Sequence, residues 1–167
     1  GPGPGTTARE AGARGYRAGA PAAACGGIVA ARVVEPIEPR DLTRILDAAF
    51  DKLRPGAPMV LETINPACWF AFFESYIRDI THVRAIHPDT LKYLLIATGF
   101  QHVDIRYRAP YPEHEKLQPL APQASLGDSV ETLNANVEKI NRLLFTYLDY
   151  AAIARRPCSC WRVRRGS

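Results

Sequence analysis

The side chain best placed to take a proton is His82. It sits in the polar stretch Asp79-Ile80-Thr81-His82, between an aromatic segment and a helical one, and imidazole titrates near neutrality. His87 precedes Pro88 and suits either a helix cap or a contact with a bound molecule. His102 and His114 read as structural and surface residues. Glu62 and Asn65 close an apolar run before Pro66, where Asn65 can serve the turn or touch a ligand. Glu35, before Pro36, reads as an exposed carboxylate at a turn. Residues 67–80 carry Cys68, Trp69, Phe70, Phe72, Phe73, Tyr76 and Ile77, which can be core packing or the wall of a small-molecule pocket, with Tyr76 on its inner side. Cys158-x-Cys160 is at most half of a metal site, and no second pair lies at zinc-like spacing, so no metal is expected. The four cysteines are too scattered for a disulfide framework and read as reduced thiols, which favours a cytoplasmic setting.

The elements that must hold these groups centre on residues 26–65. Ile28 to Val34 has the length and β-branched content of a buried strand, and Pro36 and Pro39 stop it. Leu42, Ile45, Leu46, Ala49, Phe50 and Leu53 then share one helical face. Pro39 and Asp41 fall in that helix's first turn, Lys52 and Arg54 near its end, and Pro55-Gly56 beyond it. Met59 to Ile64 is a second strand. Strand, helix, strand makes a βαβ unit, which pairs in parallel with a right-handed crossover. A helix from Pro88 to Thr98 closed by Gly99, a strand over His102–Arg108 with Val103, Ile105 and Tyr107 on one side, a proline-rich loop or lid over 109–128, a five-turn helix through Val130, Leu133, Val137, Ile140 and Leu144, and a strand over Asp149–Ala154 complete the chain.

Charge is unevenly spread. The net charge is +4. Arg9, Glu10, Arg14 and Arg17 give residues 1–26 a charge of +2, and five arginines give residues 155–167 a charge of +5, which leaves −3 between them. The basic end, with Trp161 inside it, reads as a solvated tail rather than a nucleic-acid contact. Residues 1–25 lack apolar periodicity and read as disordered, residues 26–157 as the folded domain and residues 158–167 as a tail. No apolar run is long enough to span a bilayer.

The segments VVEPIEP, KLRPGAPMVLETINP, DITHVRAIHPDTLKYLLIATGFQHVDIRY and DYAAIARRP, in this order and spacing, resemble class I S-adenosylmethionine-dependent methyltransferases, in particular a bacterial branch of small enzymes found with cell-surface sugar enzymes. The resemblance covers roughly residues 26–157 and the second half of that fold. It implies a truncated Rossmann-like α/β fold: a mixed sheet of about four strands in the order 4-5-7-6 of the family's count, helices on its faces, and the last two strands antiparallel with a helix inserted between them.

The resemblance further implies S-adenosylmethionine as cofactor, with the backbone of Ala30, Ala31 and Arg32 along its methionine part and Glu35 above it. Together with the residue reading above, His82 and Glu35 are expected in catalysis, and Asn65, Tyr76 and His87 toward a small-molecule or glycan acceptor. The family usually carries histidine after that glutamate, where this chain has Pro36. Its glycine-rich loop and the acidic residue for the ribose have no counterpart in residues 1–25, so the adenosine half of the pocket is expected to be missing or supplied by another chain or a homodimer. The alternative is a non-catalytic module that pairs through an exposed sheet edge.

Overall fold

The computed structural model describes residues 22–122 and 127–158. The expectations for residues 1–21, for Cys160 and for the arginines and Trp161 of the tail beyond residue 158 lie outside them. Residues 22–25, counted above with the disordered N-terminus, are tied to the fold. The Ala23 and Cys25 amides donate to the Asp51 and Lys52 carbonyls at 2.9 and 2.8 Å, and Arg54 N donates back to Cys25 O. Arg155 and Arg156 are likewise fixed. Arg155 donates to Gly56 O at 3.2 Å, and Arg156 donates to the Asp51 and Leu53 carbonyls and lies over the Phe50 ring.

Among the described residues, four strands form one sheet. β1 spans Ile28–Ala31, β2 Pro58–Ile64, β3 Gln101–Pro110 and β4 Tyr147–Arg155, in the spatial order β1-β2-β4-β3. β1 and β2 are parallel, and β4 runs antiparallel to both of its neighbours, as the resemblance implies. α1 (Pro39–Lys52) begins at the proline the sequence marks, with Asp41 in its first turn and Lys52 in its last. α2 (Trp69–Ala71) runs into a π-helical turn over Phe72–Tyr76. α3 (Pro88–Thr98) ends on Gly99, whose φ of 109° favours glycine. α4 (Asp128–Leu144) carries the chain from β3 back to β4.

One sheet face is covered. Leu42, Leu46, Ala49 and Leu53 of α1 and Leu91 and Leu95 of α3 pack on Met59, Leu61, Tyr150, Ala152 and Ala154. This burial is the main driving term for the fold. The opposite row of the pairing register, Val29, Val60 and Ile153, is not covered to the same degree: Val29 is 78 % exposed.

Here the reading of Ile28–Val34 as one buried strand is corrected. The strand ends at Ala31, where Arg32 takes a φ of 55°, and its alternate residues lie on the less covered sheet face. Two further details differ. Ile45, placed on the buried face of α1, is 42 % exposed, and Tyr107 is 49 % exposed beside Tyr147.

Candidate active site

In an open α/β sheet, bound molecules lie beyond the carboxyl ends of the parallel strands. There the chain puts Arg32, Glu35, Thr63, Ile64 and Asn65 together. Glu35 is 2 % exposed, which corrects its reading as an exposed turn carboxylate. One oxygen, Oε1, accepts from Thr63 Oγ1 at 2.7 Å and from Ile64 N at 3.3 Å. Oε2 is buried and meets no hydrogen-bond partner, and the Tyr76 hydroxyl is in the same condition. A buried carboxylate persists when donors compensate its lost hydration, and here only one oxygen has them.

The turn around Glu35 is pinned from outside. Its carbonyl accepts from Val83 N at 2.9 Å, which brings the residues after His82 alongside. The His82 ring stacks on Tyr76 at 4.8 Å, and Tyr76 stacks on Phe72 at 5.6 Å. His82 Nδ1 lies 2.9 Å from Tyr76 O, and a carbonyl only accepts, so Nδ1 carries the proton. Nε2 lies 3.5 Å from Asp79 Oδ2. Two hydrogen bonds from Thr81 hold the Asp79 carboxyl below its ordinary range, with a smaller contribution from His82. The π-helical turn sets up this stack: widening the helix by one residue per turn shifts Tyr76 relative to a regular helix, and such turns recur at functional sites. Burial, and then the Glu35 charge, push the Tyr76 phenol above its usual pKa.

A second polar cluster joins the residue after β1 to β2, β3 and β4. Arg32 Nη2 pairs with Asp149 Oδ1 at 2.7 Å, and Arg108 Nε lies 3.4 Å from Glu62 Oε2. Burial drives the Asp149 pKa up, the Arg32 guanidinium pulls it down, and Glu62 and Glu35 add to the rise.

The other sequence candidates fall as follows. Asn65 uses both ends of its amide, accepting from Ala67 N in its own turn at 3.1 Å and donating across to Tyr147 O of β4 at 2.8 Å. His87 caps α3 by accepting from Asp89 N at 3.2 Å. Ala30 pairs with Leu61 and Ala31 with Glu62, and Arg32 N donates to Glu62 O. As the described edge strand, β1 leaves alternate backbone groups of this stretch without a ladder partner on its outer side.

Thr63 and the Arg32–Asp149 pair were not singled out from sequence. Thr63 had a signal, since it follows Met59 and Leu61 on the covered side of β2, where a hydroxyl must find a partner.

Tyr150, opposite Thr63, is fully buried and donates to Ile86 O at 2.8 Å. Burial, with Glu35 and Tyr107 adding to it, raises its pKa well above the ordinary value. The folded state therefore keeps this proton where the unfolded chain has lost it. Stability is full below about pH 10, the ordinary tyrosine value, and falls as pH rises past it. Tyr150→Phe is expected to flatten the loss of melting temperature between about pH 9 and about pH 11. The lost hydroxyl should cost about 1 kcal/mol at neutral pH. An alkaline limb as steep as in the parent would rule this out.

Comparison with solved structures finds an S-adenosylmethionine-dependent methyltransferase from Archaeoglobus fulgidus at 32% sequence identity and a TM-score of 0.72, over 81% of this chain and 61% of that one. The chain is a relative of the S-adenosylmethionine-dependent methyltransferases. Two further methyltransferases share the fold. A Thermotoga maritima protein described as a possible histamine N-methyltransferase has a TM-score of 0.53 at 10% identity, covering 81% of this chain and 57% of that one. Phosphoethanolamine N-methyltransferase 2 of Haemonchus contortus has a TM-score of 0.50 at 11% identity, covering 81% and 34%. This methyltransferase relative thus spans less than two thirds of the length of each. No protein-family model and no curated protein sequence matches it. Among the described residues, no helix of this methyltransferase relative is long and apolar enough to cross a membrane.

Proposed function

We propose that the chain carries the acceptor-side half of an S-adenosylmethionine-dependent methyltransferase acting on a small-molecule or glycan hydroxyl. The observation that carries this reading is the buried Glu35–Thr63 pair at the carboxyl ends of two parallel strands, in a chain 32% identical to such an enzyme. Bound cofactor would supply an electrophilic methyl on a sulfonium. The residues present fit its methionine part: Ala30, Ala31 and Arg32 offer backbone groups on an open strand edge. Contacts to the adenosine part are assigned to no described residue.

Within this reading each side chain has a task. Glu35 fixes the turn above the strand end and keeps one carboxylate oxygen for a donor. The Tyr76–His82 stack forms one wall, and His82 Nε2, beside the Asp79 carboxyl, receives the proton that leaves the acceptor hydroxyl. Asn65 and His87 act through the turns they hold. The protein's main contribution to such a transfer is in-line placement of the acceptor.

The test is a calorimetric titration of the full chain with S-adenosylmethionine and with S-adenosylhomocysteine. Weak binding, nearer millimolar than micromolar, is the expected result for a chain without described adenosine contacts, with acceptor turnover at high cofactor concentration falling about a hundredfold or more in His82→Ala while cofactor binding persists. The absence of heat up to millimolar ligand would overturn the reading.

A second reading, a module that pairs through its sheet edge, is favoured by the outer side of β1, which has no neighbouring strand among the described residues, and by the exposed Val29 on it. Sedimentation separates the two: a dimer dissolved by Val29→Lys supports edge pairing, and a monomer at all concentrations removes it.

A further inference from the structure

Beyond the strand ends, α2 and its π-helical continuation meet the C-terminal end of α4. Between them lies a hollow of about 230 Å³ lined by Trp69, Phe70, Phe73, Glu74, Leu144 and Phe145. Four of these six are aromatic, and their rings are set at steep angles to one another. Trp69 and Phe73 meet at 76° with centroids 6.3 Å apart, and Phe70 and Phe145 at 52° with centroids 6.2 Å apart. The neighbouring Phe72–Tyr76 pair, by contrast, is nearly parallel at 8°. Tyr111 packs behind Phe70 and Phe145 at 4.8 Å from each and fixes their orientation. Trp69 and Phe73 remain 47 % and 54 % exposed, a large area of aromatic surface to leave open to water.

Ring faces carry the negative end of the aromatic quadrupole, and several of them around one hollow attract a weakly hydrated cation. A carboxylate at the rim adds a formal charge of the right sign, and here Glu74 supplies it. Its nearest ion-pair partner is Arg78 on the next turn, at 3.5 Å, with both side chains more than half exposed. That pair is a weak surface contact, readily exchanged for another cation. A neutral apolar ligand would gain from the rings and nothing from Glu74. An anion would be repelled by both. We propose that this hollow is a binding site for small organic ammonium ions, held by cation–π contact with Trp69, Phe70, Phe73 and Phe145 and by the charge of Glu74. The site stands on residues that play no part in the methyl-transfer reading, so either can fail without the other.

The chain has two tryptophans, Trp69 and Trp161. In the full-length Trp161→Phe variant, Trp69 is the only indole, and its emission reports on the hollow. The probes are choline and its neutral carbon isostere 3,3-dimethylbutan-1-ol, with sodium chloride to match ionic strength. Choline should bind about tenfold more tightly than the alcohol. Glu74→Gln should narrow that gap, Arg78→Ala should widen it by freeing the carboxylate, and Phe73→Ala, which truncates an exposed side chain, should abolish choline binding at an unchanged melting temperature. Equal binding of the two probes, no response to either, or choline affinity unaltered by Glu74→Gln would overturn the proposal.

Discussion

Glu35→Ala is expected to destabilise the fold by about 3 kcal/mol, and Glu35→Gln by about 1 kcal/mol or less. The difference lies in what each variant does to Oε1. In alanine that oxygen is gone, and the Thr63 hydroxyl and the Ile64 amide lose their acceptor in a site where Thr63 and Ile64 are 3 % and 4 % exposed. Each stranded donor costs about 1–3 kcal/mol. Glutamine presents the same oxygen to the same donors. Its amide group replaces an oxygen that already has no partner, so burial is no worse satisfied than before. Urea unfolding of the three proteins decides this, and alanine no less stable than glutamine would show that the pair does not anchor the turn. The glutamine variant also separates structure from chemistry. With the fold intact, loss of turnover would assign the charge of Glu35 to the reaction.

The second large effect is expected in the core. Leu46→Ala should cost about 3 kcal/mol and lower the melting temperature by about 10 °C, while Ile45→Ala, one position away, should cost less than about 1 kcal/mol. Both residues belong to the apolar stripe of α1 by spacing. Leu46 is fully buried under the sheet, where truncation opens a cavity that its neighbours cannot fill, whereas Ile45 is 42 % exposed at the margin. Thermal melts of the two variants test it, and similar shifts would mean that α1 is rotated about its axis from the orientation described.

That pair also shows what the sequence could reveal. α1 was legible at both ends because its signals are local: a proline that presets φ, an acid and a base at opposite poles, and a Pro-Gly break. Gly99 after α3 was legible for the same reason. Periodicity gives a face but not its width, so Ile45 and Leu46 looked alike. The strand order followed from the family resemblance, not from patterning. Glu35 was misread because its partner Thr63 lies 28 residues away, and only the parallel pairing of β1 with β2 brings them together. Val29 was misread for the converse reason. A β-branched run looks the same on a covered sheet face as on an open one, and what separates the two is whether helices pack over it. The π-helical turn that places Tyr76 against His82 has no side-chain signature at all.

The position of β4 has a kinetic consequence. It follows β3 and α4 in the chain, yet it lies between β2 and β3 in the sheet. During synthesis, β1, α1, β2, α3 and β3 can all leave the ribosome while β2 and β3 have nothing to pair with each other through. Only when residues 147–155 emerge can the two halves be joined, and Tyr150, Ala152 and Ala154 then complete the core in one step. Contacts this distant in sequence make for slow folding. Until then β2 and β3 each present an open edge, the species most prone to pair with the wrong chain. A nascent chain stalled before residue 147 should therefore be the form that aggregates and recruits chaperones, and release of the last strand the event that ends that exposure.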